Sequence, residues 1–366
     1  MENAGDDDGL LPTAVEIEDY KISASVGVTV ITGYLGSGKS SLVNHIIKSA
    51  SGKKIAVILN EFGAEIGVER AMINDGEQGA LVEEWVELAN GCVCCTVKHS
   101  LVQALEQLVN MNRRLDHILI ETTGLANPAP LASVLWLDDQ LESTVKLDSI
   151  VTVVDAKNLM FQLNEHRDNS SFPEAVHQIA FADVVILNKV DLVSSEDSSL
   201  TMDQLKKEIK NINSLARIIL SEQCKVDLTQ ILHHGAYDTA RTLHLETLLE
   251  DSKSLSTRVL HDDGVRTLCI SESRQLCLEK FRHWIEDILW EKIGGIDVYR
   301  CKGVLSIEDS DELHTLQAVR EIYDVVPARR WRTGESRVSK VVFIGHNLNE
   351  SVLAKSLKQC VRAVSR

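Results

Sequence analysis

Continuous apolar runs, rather than strict alternation, mark the first two-thirds of the chain. Val26–Thr32 is a β-rich run that leads into a glycine-rich stretch, and residues 41–49 then switch to helical spacing. Residues 55–59, 118–120, 150–154, 184–187 and 217–220 are further short apolar runs. Three of them close on a polar side chain: Glu121, Asp155 and Asn188. Residues 101–109 and Met202–Ile212 repeat apolar positions at helical intervals. Buried strands alternating with helices predict an α/β fold with a mainly parallel sheet covered on both faces. The carboxyl ends of such strands are where open α/β sheets bind ligands.

The rhythm changes twice. Residues 1–24 begin with acids and read as a flexible tail. Residues 25–222 form the α/β unit. Residues 223–262, rich in His, Asp and Ser, read as a linker with one or two helices. Residues 263–366 read as a smaller C-terminal α+β domain. Its expected strands are 267–271, 298–306, 316–322 and 340–344, and its helices 275–292 and 350–361. His233-His234 reads either as solvated linker or as a ligand pair.

At 366 residues the chain is long enough for two domains, and 44% hydrophobic content supplies their cores. A net charge of −16 disfavours nucleic acid and acidic membrane surfaces as partners. No apolar run reaches the roughly 20 residues that span a bilayer. Residues 1–25 carry neither the apolar core of a secretory signal nor the basic character of a transit peptide. The expected compartment is therefore the cytoplasm, with the nucleus as a second location, where the thiols stay reduced.

Gly33-Tyr34-Leu35-Gly36-Ser37-Gly38-Lys39-Ser40 fits the G-x-x-x-x-G-K-[ST] phosphate loop, between a strand and a helix as the motif requires. Glycines let the backbone wrap phosphates, and the helix N-terminus, with Ser41 in its first turn, adds positive potential. Lys39 is expected to reach the β- and γ-phosphates, and Ser40 to ligate Mg²⁺. Glu121, in Glu121-Thr122-Thr123-Gly124, ends a strand where an acid meets Mg²⁺; Lys39 and Glu121 are thus the catalytic candidates. Asn188-Lys189-Val190-Asp191 follows the 184–187 strand. The Asp191 carboxylate accepts from the two adjacent donors of guanine, which adenine does not present. The expected cofactors are GTP/GDP and Mg²⁺.

Eight cysteines are present, three of them at Cys92, Cys94 and Cys95. That cluster suits one soft ion, Zn²⁺ or Cu⁺, gripped from a loop. Three thiolates leave a fourth position for water, a carboxylate, a His such as His99, or a ligand from another protein. The competing reading is three small buried side chains. Cys224, Cys269, Cys277, Cys301 and Cys360 are scattered and read as structural.

Taken together, the phosphate loop, Asn60-Glu61-Phe62-Gly63, Gly91-Cys92-Val93-Cys94-Cys95, the Glu121–Pro128 segment and Asn188–Asp191 resemble the CobW family of phosphate-loop GTPases over about residues 26–362. Leu289-Trp290-Glu291-Lys292 and Arg300-Cys301-Lys302-Gly303 are similar to its eukaryotic branch, the zinc-regulated GTPase metalloprotein activators. The resemblance implies a GTP-hydrolysing zinc chaperone that holds Zn²⁺ at Cys92, Cys94 and Cys95 and delivers it to a client metalloenzyme, type 1 methionine aminopeptidase. It also implies that 60–63 is a switch loop and that Cys95, Thr96, Val97 and Lys98 lie near the nucleotide. A nucleotide-gated zinc sensor or scaffold is the alternative. Three departures stand out: Ala64 replaces an acid often found after Asn-Glu-Phe-Gly, no long His-rich loop is present, and the tail keeps only Leu11-Pro12-Thr13-Ala14-Val15 of a client-docking motif.

Overall fold

In the computed structural model, the residues described are 25–50, 52–60, 70–74, 81–82, 97–110, 115–137, 144–164, 173–193, 201–238 and 264–361. Their strands assemble into an eight-stranded sheet of order β4-β3-β2-β5-β1-β6-β7-β8 and a five-stranded sheet of order β12-β11-β10-β13-β9. In the first sheet β1 (Val26–Thr32), β2 (Ile55–Asn60), β5 (His117–Thr122), β6 (Val145–Asp155), β7 (Val184–Asn188) and β8 (Arg217–Ser221) run parallel. The edge strands β3 (Arg70–Asn74) and β4 (Leu81–Val82) are antiparallel, an addition the sequence pattern does not announce.

Burial on both faces explains the unbroken apolar runs. Ile118, Leu119 and Ile120 are all sealed from solvent, as are Val184 through Leu187. Helices α1 (Lys39–Ser49), α2 (Val97–Asn110), α3 (Ala129–Leu137), α4 (Leu159–Asn164), α5 (Glu174–Phe181) and α6 (Met202–Ile212) connect the strands. Helix α6 begins and ends where the periodicity places it. Thr201 and Gln204 close a reciprocal capping box at its start, and Leu205, Ile209 and Ile212 form its buried stripe.

The second sheet is wholly antiparallel: β9 (Arg266–Glu272), β10 (Asp297–Ser306), β11 (Glu312–Val319), β12 (Ile322–Arg330) and β13 (Ser339–His346). Helices α7 (Leu278–Leu289) and α8 (Glu350–Leu357) cover one face, with Phe281, Ile285 and Leu353 packed on Cys301 and Phe343. The other face shares a continuous core with the first domain, through Tyr299, Val304 and Val342.

Three expectations need correction. Residues 316–322 are not one strand: β11 ends at Val319, and Arg320, in left-handed backbone at φ 55°, turns the chain into β12. The α7 helix is also shorter than 275–292. Cys277 is its N-cap, and the chain leaves the helix at Trp290 before a turn containing Gly294 and Gly295 at positive φ. Residues 223–238, assigned to the linker by composition, pack on the first domain: Cys224, Ile231 and Leu232 are buried in its core.

Candidate functional site

The site lies at the carboxyl ends of β1, β5, β6 and β7. Between β1 and α1 the chain makes three left-handed turns at glycine: φ is 143° at Gly33, 72° at Gly36 and 114° at Gly38. Two of these positions also lack room. A Cβ on Gly33 would lie 2.2 Å from the Val153 carbonyl, and one on Gly38 would lie 2.6 Å from Asn188 Nδ2. Only glycine satisfies both the torsion and the space.

Lys39 opens α1 and its ammonium curls back over the loop, donating to the carbonyls of Gly33 at 2.9 Å and Tyr34 at 3.2 Å. Burial holds its pKa below the ordinary lysine value, against the opposing pull of Glu121. Ser40 donates its hydroxyl to Glu121 Oε1 at 2.8 Å, so the two expected magnesium ligands, 81 residues apart in sequence, meet. Gly124 packs directly on the loop, where a Cβ would lie 2.8 Å from the Leu35 nitrogen. Gln178 of α5 steadies that segment by donating to the carbonyls of Gly124 and Ala126.

Asn188 is buried and serves as a brace. Its Nδ2 donates to the Ser37 carbonyl at 2.9 Å, while its Oδ1 accepts from Ser221 Oγ at 3.1 Å and the Cys224 amide at 2.9 Å. Lys189 stands in left-handed backbone, φ 61°, and donates to the Gly36 carbonyl at 2.7 Å and to Asp155 Oδ2 at 2.7 Å. Asp191 sits in the single turn Val190–Leu192 and is exposed, free to face a base.

Gly33–Ser41, Glu121, Asn188, Lys189 and Asp191 therefore share one end of the sheet. Sequence reasoning missed Asp155, Ser221 and Cys224. Asp155 and Ser221 do carry a signal, since each is the polar residue that closes a strand. Cys224, which reads as scattered, lies against the phosphate loop: its thiol is 3.2 Å from the Gly38 carbonyl, and burial pushes its pKa up to about 11. It acts as a neutral donor, not a thiolate ligand.

Cys92, Cys94, Cys95 and Thr96 lie outside the described residues, as do Glu61 and residues 1–24. Val97 and Lys98 form the first turn of α2. His233 is exposed and His234 half-buried, both beside the first domain. The His233 ring meets His117 edge-on at 5.0 Å, and the His234 amide donates to Asp148 at 3.0 Å. Among the described residues no group of three or more His, Cys, Asp or Glu is arranged to hold a metal ion.

The residues fit a nucleotide with its Mg²⁺. The cradle admits no side chain at Gly33 or Gly38, and Ser37 Oγ is buried inside the loop with no partner among the described residues. Ser40 and Glu121 present hard oxygen donors side by side, the chemistry Mg²⁺ prefers.

The comparisons with known proteins agree with this geometry. The CobW/HypB/UreG nucleotide-binding domain matches residues 27–220, and the C-terminal domain of cobalamin synthesis protein cobW matches 265–361. A zinc-regulated GTPase metalloprotein activator 1 from Schizosaccharomyces pombe is 37% identical over 352 residues, covering 88% of this chain and 83% of that one. Its Saccharomyces cerevisiae namesake is 32% identical, covering 95% and 86%. The crystal structure of the Zn(II)-bound YjiA GTPase from E. coli shares the fold, with a TM-score of 0.66 over 92% of this chain and 99% of that one, at 22% identity. With both family domains matched in order and the phosphate and base loops in contact, the chain belongs to the CobW family of phosphate-loop GTPases.

Proposed function

We propose that this GTPase is a zinc chaperone, which holds Zn²⁺ at Cys92, Cys94 and Cys95 and hands it to a client metalloprotein. The observation that carries the proposal is the joining of Ser40 to Glu121 at the mouth of the phosphate loop, in a chain whose thiol motif directly precedes α2 in sequence. The zinc-regulated GTPases and the bacterial zinc chaperones among its relatives support the same reading. We further propose type 1 methionine aminopeptidase as the client, engaged through Leu11–Val15, and the cytoplasm as the working compartment. Among the described residues no helix is long and apolar enough to cross a membrane.

In this mechanism the chain's own groups do the following. Lys39 exchanges the Gly33 and Tyr34 carbonyls for phosphate oxygens, which are better partners for an ammonium. Ser40 and Glu121 would hold Mg²⁺, which would supply positive charge beside the phosphates. Asn188 keeps the base loop fixed to Ser37, and Asp191 reads guanine. The chain from Cys95 through Lys98 links the thiols to the nucleotide, so that a change at the γ-phosphate alters the grip on zinc.

Two experiments test this reading. Asp191→Asn should lose GTP and gain xanthosine triphosphate, because xanthine presents an acceptor where guanine presents an amine. The cost toward GTP is on the order of 2–4 kcal/mol. Equal binding of ATP and GTP by the unmutated protein would end the guanine assignment. For transfer, zinc-loaded protein with GTP should activate apo-methionine aminopeptidase beyond an equal amount of buffered zinc. Deletion of residues 1–20 should remove that gain. Zinc-dependent GTPase activity with no gain in the client would make the protein a sensor instead.

A further inference from the structure

The base-reading and phosphate-reading loops are joined by a lysine whose position depends on a third element. Lys189 is the first residue after β7, and its left-handed backbone turns the side chain back across the site. Its ammonium spans two acceptors: the Gly36 carbonyl at the tip of the phosphate loop and Asp155 Oδ2 at the end of β6, each at 2.7 Å. Asp155 and Asn188 are register partners in the parallel pair β6–β7, which brings the acid beside the base loop. Asp155 is 2% exposed, while Lys189 is about one-third exposed. The acid is thus the fixed partner and the lysine the moving one.

Asp155 is itself held firmly. Its Oδ1 accepts from the amides of Lys157 and Asn158, and its Oδ2 also accepts from Asn158 Nδ2 at 3.0 Å. Burial alone would raise its pKa, but the hydrogen bonds from Lys189 and Asn158 outweigh it and keep the carboxylate charged. A charged, immobilised acceptor is suited to aiming a long flexible ammonium.

We propose that Asp155 is a positioning residue for nucleotide binding: it fixes Lys189 over the Gly36 carbonyl and so locks the base loop to the phosphate loop before nucleotide arrives. This rests on Asn188–Asp191 being the base loop. Without Asp155, Lys189 samples solvent and Gly36 loses its donor; Asn188 still ties the base loop to Ser37, but the tip of the phosphate loop at Gly36 must be ordered by the nucleotide itself. The entropic cost then falls on binding and not on the chemical step.

The competing explanation is local: Asp155 only starts the turn into α4 by accepting from Lys157 and Asn158. Asp155→Asn separates the two, since an asparagine carbonyl still accepts those amides but carries no charge for Lys189. The experiment measures GDP and GTP affinity and steady-state hydrolysis for Asp155→Asn, Lys189→Ala and the double variant. The expected result is about 10- to 100-fold weaker binding of both nucleotides for Asp155→Asn. The loss should fall on KM far more than on kcat, and the melting temperature should stay close to that of the parent. The double variant should bind no worse than Lys189→Ala alone, because both changes remove one interaction. Parental affinity in Asp155→Asn, or additive losses in the double variant, would overturn the proposal. The unmutated protein distinguishes this from failure of the base assignment: indifference between ATP and GTP defeats the latter, whereas the Asp155–Lys189 cycle is read with GDP and GTP regardless.

Discussion

Asp183, at the seam between the two domains, offers the sharpest stability test. It lies at the amino end of β7 and receives Arg300 and Lys302 from β10, with Lys302 at 3.4 Å, as well as the Ile150 amide at 3.0 Å. Side-chain exposure is 3% for Asp183, 1% for Arg300 and 8% for Lys302, so no member of the cluster can turn to water. Asp183→Ala leaves two buried cations without their anion. Removing one partner of a buried ion pair costs about 3–5 kcal/mol. At roughly 2–4 °C per kcal/mol for a domain of this size, the melting temperature should fall by about 6–20 °C. Asp297→Ala is the control. It also removes the anion from two cations, Lys292 and Arg320, but those side chains are 50% and 20% exposed. There the cost should be about 0–1 kcal/mol. The assay is thermal unfolding of both variants beside the parent, without nucleotide. A fall for Asp183→Ala no larger than for Asp297→Ala would refute the reasoning. The pH dependence gives a second check. Burial alone would raise the Asp183 carboxyl, but Arg300 and Lys302 outweigh it, so the folded pKa lies below the ordinary 3.8. A depressed carboxyl stabilises above its unfolded pKa and loses that contribution as pH falls through the folded value. The gap between parent and Asp183→Ala should therefore be full above about pH 4 and narrow below it.

Three further outcomes follow from the site. Gly38→Ala puts a methyl group 2.6 Å from Asn188 Nδ2 and 2.9 Å from Cys224 Sγ at φ 114°, and should weaken GTP binding by about 5- to 150-fold, from about 1–3 kcal/mol of strain. Gly52→Ala, also at positive φ but with nothing within 4 Å, should leave nucleotide affinity unchanged in the same titration. Changing Cys92, Cys94 and Cys95 together to Ser should abolish zinc binding and spare GTP binding, with parental zinc affinity falling as pH drops and the thiolates protonate; unchanged zinc stoichiometry would place the ion elsewhere. Titrating zinc with and without GTP, and GTP with and without zinc, should give the same coupling factor in both directions, about 5- to 150-fold, and a factor of one would leave two independent sites.

The strands and the two nucleotide loops were legible in the chain because their signals are local. Ile118 through Ile120 and Val184 through Leu187 are apolar without interruption since both faces are buried, and Gly33 and Gly38 are glycine since no other residue fits. The spacing of Thr201 and Gln204 sets the start of α6 within one turn of backbone. What the chain could not announce depends on register and on contacts between distant segments. Asp155 meets Lys189 because β6 and β7 pair with Asp155 opposite Asn188, and that alignment is set by the whole sheet. Cys224 resembles any isolated cysteine until the segment after β8 brings its amide to Asn188, 36 residues away. Arg300 and Lys302 look like the polar face of an antiparallel strand. Only the docking of β10 against the first domain turns that face inward, where Asp183 offsets the cost of burying two charges. Local propensity and pattern choose the elements; the alignment of strands and the packing of one domain on the other choose which charges meet.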